Sequence, residues 1–183
     1  MPAARIALKD GRPVYGGTPS DRSVREAIAA LRARGQAVMF YPFLLMEQQE
    51  GNGLSDPWSG APDQPVMPWR GRITLSVAPG REGSPDGTGA AEAEVAAFMG
   101  AAQPSDFTIS GGRVIYSGDP ADRGYRRFVL HYACLCQSAG GVEAFCIGSE
   151  LRGLTQIRGA GGSFPMVAAL RVLLGEVRAI LGA

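Results

Sequence analysis

The chain has 183 residues, 45% of them hydrophobic, and its 18 Lys and Arg residues nearly balance 17 Asp and Glu residues, leaving a formal charge of +1. This length and composition predict one soluble domain with a hydrophobic core. The sequence has no basic tract, no apolar run long enough for a signal peptide or a membrane span, and three cysteines without C-x-x-C spacing. These absences argue against nucleic-acid binding, membrane insertion, a disulfide framework and a zinc site.

The first predicted element is an amphipathic helix over residues 18–35. Ser20 or Asp21 is a candidate N-cap, because a short polar side chain can accept a hydrogen bond from a free amide of the first turn. Gly35 is a suitable end. The apolar side chains at helical spacing are expected to face the core: Val24, Ala27, Ile28 and Leu31.

An apolar run and a long loop follow. Residues 37–45, AVMFYPFLL, lack helical polar spacing and indicate a strand of a parallel sheet covered on both faces. Pro42 cannot donate to a strand ladder, so we place it late in the strand or at a bulge. Residues 47–81 contain repeated Pro and Gly breaks, and a loop of this length in a compact domain is usually functional or an insertion.

The second half of the chain continues this alternation of helices and strands. It contains a helix over 85–100, a hairpin over 106–119 turning at Gly111 and Gly112, a helix over 120–141, a buried strand beginning at 142, a glycine-rich loop over 159–162 and a helix over 163–182. The last helix is expected to bury one face, formed by Val167, Leu170, Leu174, Val177 and Leu181. Alternating elements favour an α/β fold with a parallel sheet, although only the strands near 37–46 and 142–150 are clear members of it.

Two chemical alternatives are weaker. His131 and Cys134 share a helical face, which makes a thiolate activated by imidazole conceivable, but the apolar neighbours indicate a buried, inert cysteine. The glycine-rich stretches at 83–89 and 159–162 fit neither the phosphate-loop pattern nor the dinucleotide fingerprint. We therefore expect no nucleotide, no other cofactor and no metal.

Six motifs, taken in order, resemble the TIM-barrel-like, glycoside-hydrolase-like domain of the tail-tip protein of gene transfer agents and related phage tails. They are GGTPSD, FYPFLLM, NGLSDPWSG, PWRGRITLS, GSPDGT and IGSELRGLT, and the resemblance extends over residues 11–183. It implies that residues 1–183 are a single partial (β/α)8 domain, the N-terminal half of a barrel with a long loop and a hairpin insertion, within a larger multidomain tail protein. The protein would be made in the cytoplasm and become part of a phage-like particle.

The resemblance also points to Glu150, which follows the second apolar strand in the motif IGSELRGLT. Glycosidases of this barrel type commonly place their acid/base carboxylate at the end of the fourth strand, and burial at a strand rim would raise its pKa enough to donate a proton. Ser149 stands where those enzymes usually have Asn, and the partner carboxylate is expected outside this sequence. In the alternative interpretation Glu150 ends a strand and pairs with Arg152 or Arg158.

The resemblance implies a bacterial cell-envelope glycan as ligand. Aromatic rings and a guanidinium group can stack on sugars and hydrogen-bond to them, and the candidate binding residues are Tyr41, Asp56, Trp58, Trp69, Arg70 and Arg152. Both tryptophans could instead hold the long loop in place. A different class of function keeps the fold without chemistry, as an assembly module packed against other tail or baseplate proteins and the rest of its own parent chain. The sequence names neither the sugar nor the linkage.

Overall fold

The first helix, α1 (Asp21–Ala33), begins and ends where its capping residues require. Ser20 is the N-cap, its hydroxyl accepts the Ser23 amide at 3.1 Å, and Gly35 beyond the last turn has φ +70°. Val24 and Ile28 are buried. Ala27 and Leu31, expected on the same face, are exposed, so the buried stripe of α1 is narrower than predicted.

The computed structural model describes the backbone of residues 8–9 and 12–13 and all of residues 17–182.

The other elements follow the predicted order with shifted ends. Strands are β1 (Leu8–Lys9), β2 (Arg12–Pro13), β3 (Met39–Phe40), β4 (Phe107–Ser110), β5 (Arg113–Tyr116) and β6 (Ala144–Phe145), and the remaining helices are α2 (Gly89–Met99), α3 (Tyr125–Ser138), α4 (Arg152–Thr155) and α5 (Pro165–Leu181). Short 3₁₀ turns occupy Arg70–Arg72, Pro104–Asp106 and Ala160–Gly162. None of the helices in the described part of the chain is long and apolar enough to cross a bilayer. The N-terminal stretch in which we predicted no leader lies largely outside the described residues.

The two predicted strands do pair in parallel. In the β3 and β6 ladder Met39 is opposite Ala144 and Phe40 is opposite Phe145. The strands are much shorter than predicted, because Pro42 interrupts the first apolar run soon after β3. The expectation of burial on both faces is wrong: Met39 is 66% exposed, whereas Phe40 and Phe145 on the other face pack against a buried cluster.

Helices α1 and α3 cover one face of the β3 and β6 pair. Val24 and Ile28 of α1 pack with Val38, Leu135 and Cys136 into a buried cluster, and partly buried side chains surround it, including Phe40, Val142 and Phe145 of the strand pair. Helix α3 starts at Tyr125, directly after its N-cap Gly124, rather than near Pro120. The reason is Asp122, whose carboxylate accepts the amides of Ala101, Ala102 and Gly124 and so fixes a turn before the helix.

Two further elements show how local chemistry sets structure. The predicted hairpin is confirmed: β4 pairs antiparallel with β5, and Gly111 and Gly112 have φ of +55° and +71°, as a two-residue primed turn requires. Helix α5 is also confirmed, but its buried face is rotated by one residue, because Met166, Leu173 and Val177 are buried whereas Val167 and Leu174 are exposed. Leu170 and Leu181 are half-buried.

The chain divides into two units, which together form a mixed α/β structure with small parallel and antiparallel sheets. The first comprises Met1–Val14, Phe43–Met99 and Ser149–Leu170, and the second comprises Tyr15–Pro42, Gly100–Gly148 and Arg171–Ala183. No closed barrel is formed by the described residues.

Glu143 joins α1 to the parallel pair. Its carboxylate accepts the Val38 amide at 2.6 Å and binds Arg32 at 2.7 Å. The hydrogen bond from Val38, with the Arg32 charge, holds the pKa of Glu143 below its usual range. A group with a lowered folded-state pKa stabilises the fold above its unfolded pKa, and that contribution disappears as the pH falls through the folded-state pKa.

We expect Glu143→Gln to lower the Tm at pH 7, because glutamine cannot carry the charge that Arg32 and the Val38 amide bind. The wild-type and variant Tm values should converge as the pH falls through the lowered folded-state pKa of Glu143, below which glutamate is protonated in both states. Thermal melts from pH 7 to pH 2 test this, with Glu50→Gln as the control, since no side-chain partner of exposed Glu50 exists among the described residues. A Tm difference that stays constant with pH would contradict the assignment.

Candidate functional site

Glu150 has an unusual backbone conformation. Its φ is +52°, and within the described part of the chain the only other non-glycine residue with positive φ is Met67, at +46°. A side chain in this left-handed region costs roughly 1–2 kcal/mol, so the surrounding structure must hold it there. Such strain recurs at binding and catalytic sites, so Glu150 and its neighbours are a candidate functional site.

The Glu150 carboxylate is held by two donors from the long loop. The indole Nε1 of Trp69 donates to Oε2 at 2.5 Å, and Nη2 of Arg70 lies 3.0 Å from the same oxygen. Among the described residues nothing hydrogen-bonds to Oε1. The carboxylate is therefore fixed through one oxygen and open at the other, with 47% of the side chain exposed. This setting is more open than the desolvated strand rim that we expected from the sequence, and the ion pair is with Arg70 rather than with Arg152 or Arg158.

Arg70 is itself held from a third side. Its guanidinium lies over the Phe43 ring, 4.6 Å from the centroid, and only 18% of the Arg70 side chain is exposed. Phe43 is 52% exposed and Trp69 50% exposed, so two aromatic rings flank the ion pair and face solvent. All of these residues belong to the first unit. Phe43 was not among the site residues predicted from the sequence, although it follows β3 along the chain as Glu150 follows β6.

The Trp69 ring is positioned by the residue two places after it. Gly71 is buried, and a Cβ placed there would overlap the indole ring. The ring therefore lies across the Arg70–Arg72 turn because Gly71 has no side chain. This local feature brings the indole N–H to Glu150 in a chain segment that has no other regular structure.

Asp56 and Trp58 form a second cluster in the same loop. The Asp56 carboxylate is 6% exposed and accepts the Trp58 amide at 3.2 Å, the Ser59 hydroxyl at 2.7 Å and Nη2 of Arg72 at 3.0 and 3.1 Å. Burial alone would raise the pKa of Asp56, but the hydrogen bonds from Ser59 and Trp58 and the Arg72 charge outweigh it and lower that pKa. The Trp58 indole donates to the Arg72 carbonyl at 2.8 Å.

The remaining candidates lie elsewhere. Arg152 is exposed at the first position of α4 and forms no ion pair among the described residues. Tyr41 belongs to the second unit and is 47% exposed. The structure thus brings Trp69 and Arg70 to Glu150, and joins Asp56 and Trp58 to each other rather than to Glu150.

The thiol alternative finds no support in the chemistry of α3. Burial raises the pKa of the Cys134 thiol and raises that of Cys136 to about 12, so both remain protonated at neutral pH. His131 bonds to Asp21 through Nε2 at 3.0 Å. No group of three or more His, Cys, Asp or Glu residues in the described ranges is arranged to hold a metal ion.

We expect the strain at Glu150 to make a glycine variant at this position more stable than an alanine variant, which reverses the usual order of stability. Both Glu150→Gly and Glu150→Ala remove the carboxylate, but only glycine accepts φ +52° without cost, so the glycine variant should be more stable by about 1 kcal/mol. Urea unfolding measures the difference. As a control, Ala96→Gly on the exposed side of α2 should destabilise by roughly 0.5–1 kcal/mol. Equal stabilities of the two Glu150 variants would show that the conformation carries no strain.

We expect Asp56→Asn to lower the free energy of unfolding at pH 7 by about 1–3 kcal/mol, because asparagine loses the charge that binds Arg72. Since the folded-state pKa of Asp56 is lowered, this contribution is present above about pH 4 and disappears as the pH falls through the folded-state value. Urea titrations at pH 7 and pH 3 test it. A stability loss that is the same at both pH values would mean that the charge of Asp56 is not the cause.

A family comparison matches the last third of the chain. Residues 123–183, about a third of the chain, match the family model described as the GTA TIM-barrel-like domain, and this segment contains α3, β6, Glu150, α4 and α5. Of the six motifs noted in the sequence, IGSELRGLT lies inside the matched segment. No curated protein matches the chain closely enough to count as a relative. The predicted resemblance is thereby confirmed over residues 123–183, which are similar to the GTA TIM-barrel-like domain family.

Proposed function

We propose that the protein recognises a glycan of the bacterial cell envelope through a surface formed by Phe43, Trp69, Arg70 and Glu150, which we call the Glu150 surface. The observation that carries the proposal is the pairing of Trp69 and Arg70 on one oxygen of Glu150 while the other oxygen stays open to a ligand. A carboxylate fixed in this way is oriented before a ligand arrives, which reduces the ordering cost of binding.

The surface contains the groups that sugars need. The half-exposed rings of Phe43 and Trp69 can stack on the apolar face of a sugar, and Oε1 of Glu150 can accept a hydrogen bond from a hydroxyl group. Asp56 is not included, because Ser59, Trp58 and Arg72 already bind its two oxygens. We assign Asp56 and Trp58 to maintaining the loop, and keep Arg152, which belongs to the same unit, as a candidate for a more distant part of the ligand. Tyr41 belongs to the second unit and is not assigned to this surface.

The family match supports a place for this surface in a particle that meets a bacterial envelope. We propose that β3 and β6 are adjacent parallel strands of a partial (β/α) barrel, in which Phe43 and Glu150 follow the carboxyl ends of these strands. Barrel enzymes build their sites at that end. Within this proposal Glu150 is the acid/base residue of a glycosidase, and a second carboxylate would be needed to complete the pair.

We expect Trp69→Ala to weaken binding of the full chain to envelope glycan by about 10- to 100-fold, the usual effect of removing a central aromatic side chain. Binding is measured with purified peptidoglycan and with capsular polysaccharide, by co-sedimentation and calorimetry. Trp58→Phe is the matched control, because it preserves a ring in the Asp56 cluster and leaves the Glu150 surface unchanged. If the wild-type chain binds neither glycan, recognition is excluded and the assembly module becomes the better explanation.

We expect Glu150→Gln to reduce release of reducing ends by about 10²-fold or more, because glutamine cannot transfer the proton, while glycan binding falls much less. The measurement belongs on the intact particle or the full-length tail protein. Glu82→Gln is the control, since Glu82 is exposed in the same unit and no side-chain contact to it occurs among the described residues. If the wild-type protein binds glycan but cleaves no glycosidic bond, the catalytic role of Glu150 is excluded and only glycan recognition remains.

A further inference from the structure

The donors and the carboxylate of the Glu150 surface come from segments far apart in the chain. Trp69 and Glu150 are separated by 81 positions, and neither segment contains a strand that pairs with the other. The hydrogen bond at 2.5 Å and the ion pair at 3.0 Å therefore need a separate structural element to set the distance between the two segments. That element lies just behind the surface, between the Arg70–Arg72 turn and the start of α4.

Thr74 provides the first part of it. Its side chain is 2% exposed, and its hydroxyl donates to the carbonyl of Gly153 at 3.0 Å. A buried hydroxyl without a partner destabilises a fold, so this hydrogen bond is strongly favoured in the folded state. The hydrogen bond ties Thr74, two positions after the Arg70–Arg72 turn, to Gly153, three positions after Glu150.

Gly153 provides the second part. A Cβ at this position would overlap the carbonyl oxygens of Ile73 and Gly71, so the backbone of α4 reaches the backbone of the turn only because residue 153 has no side chain. Leu151 and Leu154 on either side of Gly153 are buried, at 6% and 0% exposure, which anchors this stretch in the core of the first unit. The two segments are thus locked backbone to backbone.

We propose that Thr74 and Gly153 are positioning residues of the Glu150 surface: this lock holds the Trp69 and Arg70 donors on Oε2 of Glu150 and keeps Glu150 in its left-handed conformation. Neither residue reaches the ligand, since both are buried. Without the lock, Glu150 would relax toward negative φ and its carboxylate would leave the donors. The effect of the lock on glycan affinity rests on the proposed function, whereas its effect on the Trp69 to Glu150 hydrogen bond does not.

The two tryptophans allow a direct test, because the chain has only these two indole N–H groups and each has a different acceptor. In ¹H–¹⁵N spectra of the full chain, the Trp69 signal reports the hydrogen bond to Glu150, and the Trp58 signal reports the one to the Arg72 carbonyl. Trp58→Phe and Trp69→Phe assign the signals. Glu150→Gln defines the shift of the Trp69 signal when the charged acceptor is lost.

We expect Thr74→Val, which keeps the shape and removes the hydroxyl, to move the Trp69 signal toward its position in Glu150→Gln and to leave the Trp58 signal in place. Adding Glu150→Gln to Thr74→Val should then cause little further change. Thr74→Ser should restore the wild-type spectrum. Thr108→Val is the matched control, because Thr108 is exposed on β4 and its hydroxyl has no partner among the described residues. Gly153→Ala provides a second, independent break of the lock.

A Trp69 signal that stays at its wild-type position in both Thr74→Val and Gly153→Ala would overturn the proposal. If the wild type binds glycan, Thr74→Val should also weaken that binding by about tenfold, the scale expected when supporting residues loosen a site. If the wild type binds no glycan, the proposed function fails, and the Trp69 signal alone decides whether Thr74 and Gly153 position Glu150.

Discussion

The close approach of two backbones at Gly153 is the constraint on which the Glu150 surface depends. Because residue 153 has no Cβ, its main chain can lie against the carbonyls of Gly71 and Ile73, and Thr74 adds a hydrogen bond at the same place. The irregular loop thereby gains a fixed distance to the start of α4. The strain at Glu150 is tolerated since its neighbours on both sides are held by burial and by backbone contact.

A carboxylate, a guanidinium group and an indole ring meet twice in the first unit, with opposite results. Asp56, Arg72 and Trp58 form a group in which the carboxylate is buried and fully bonded, whereas Glu150, Arg70 and Trp69 form one in which the carboxylate is half exposed and open at one oxygen. The two arginines lie on the same 3₁₀ turn and bind different carboxylates. The side chains are of the same kinds in both groups, so the different burial of the two carboxylates is the reason for the different roles that we propose for them.

Structural elements that depend on a few adjacent residues were predicted well from the sequence. The hairpin at Gly111 and Gly112, the N-cap at Ser20 and the end of α1 near Gly35 each depend on a few adjacent residues, and the structure confirms them. The pairing of the two apolar strands was also predictable, because parallel strands linked by helices are the usual outcome of this order.

The sequence was less informative wherever distant parts of the chain meet. Burial of Met39 was overestimated because it depends on a covering layer, which a strand pattern cannot reveal. The partner of Glu150 was sought among nearby arginines, yet the ion pair is with Arg70, 80 positions earlier in the chain, brought there by the contact at Gly153. The site residues Trp69 and Arg70 were nominated for their chemistry, and their roles in binding remain predictions.

The hydrogen bond from the Val38 amide to the Glu143 carboxylate also bears on the order in which the chain folds. The two residues are separated by 105 positions, so the β3 and β6 ladder closes a very long segment of chain before any hydrogen bond compensates the lost entropy. The hairpin of β4 and β5 and the individual helices close short segments and can form within microseconds. We therefore expect the parallel pair to be among the last structures to form. Surfaces that are covered only after that late step stay exposed for longest during folding.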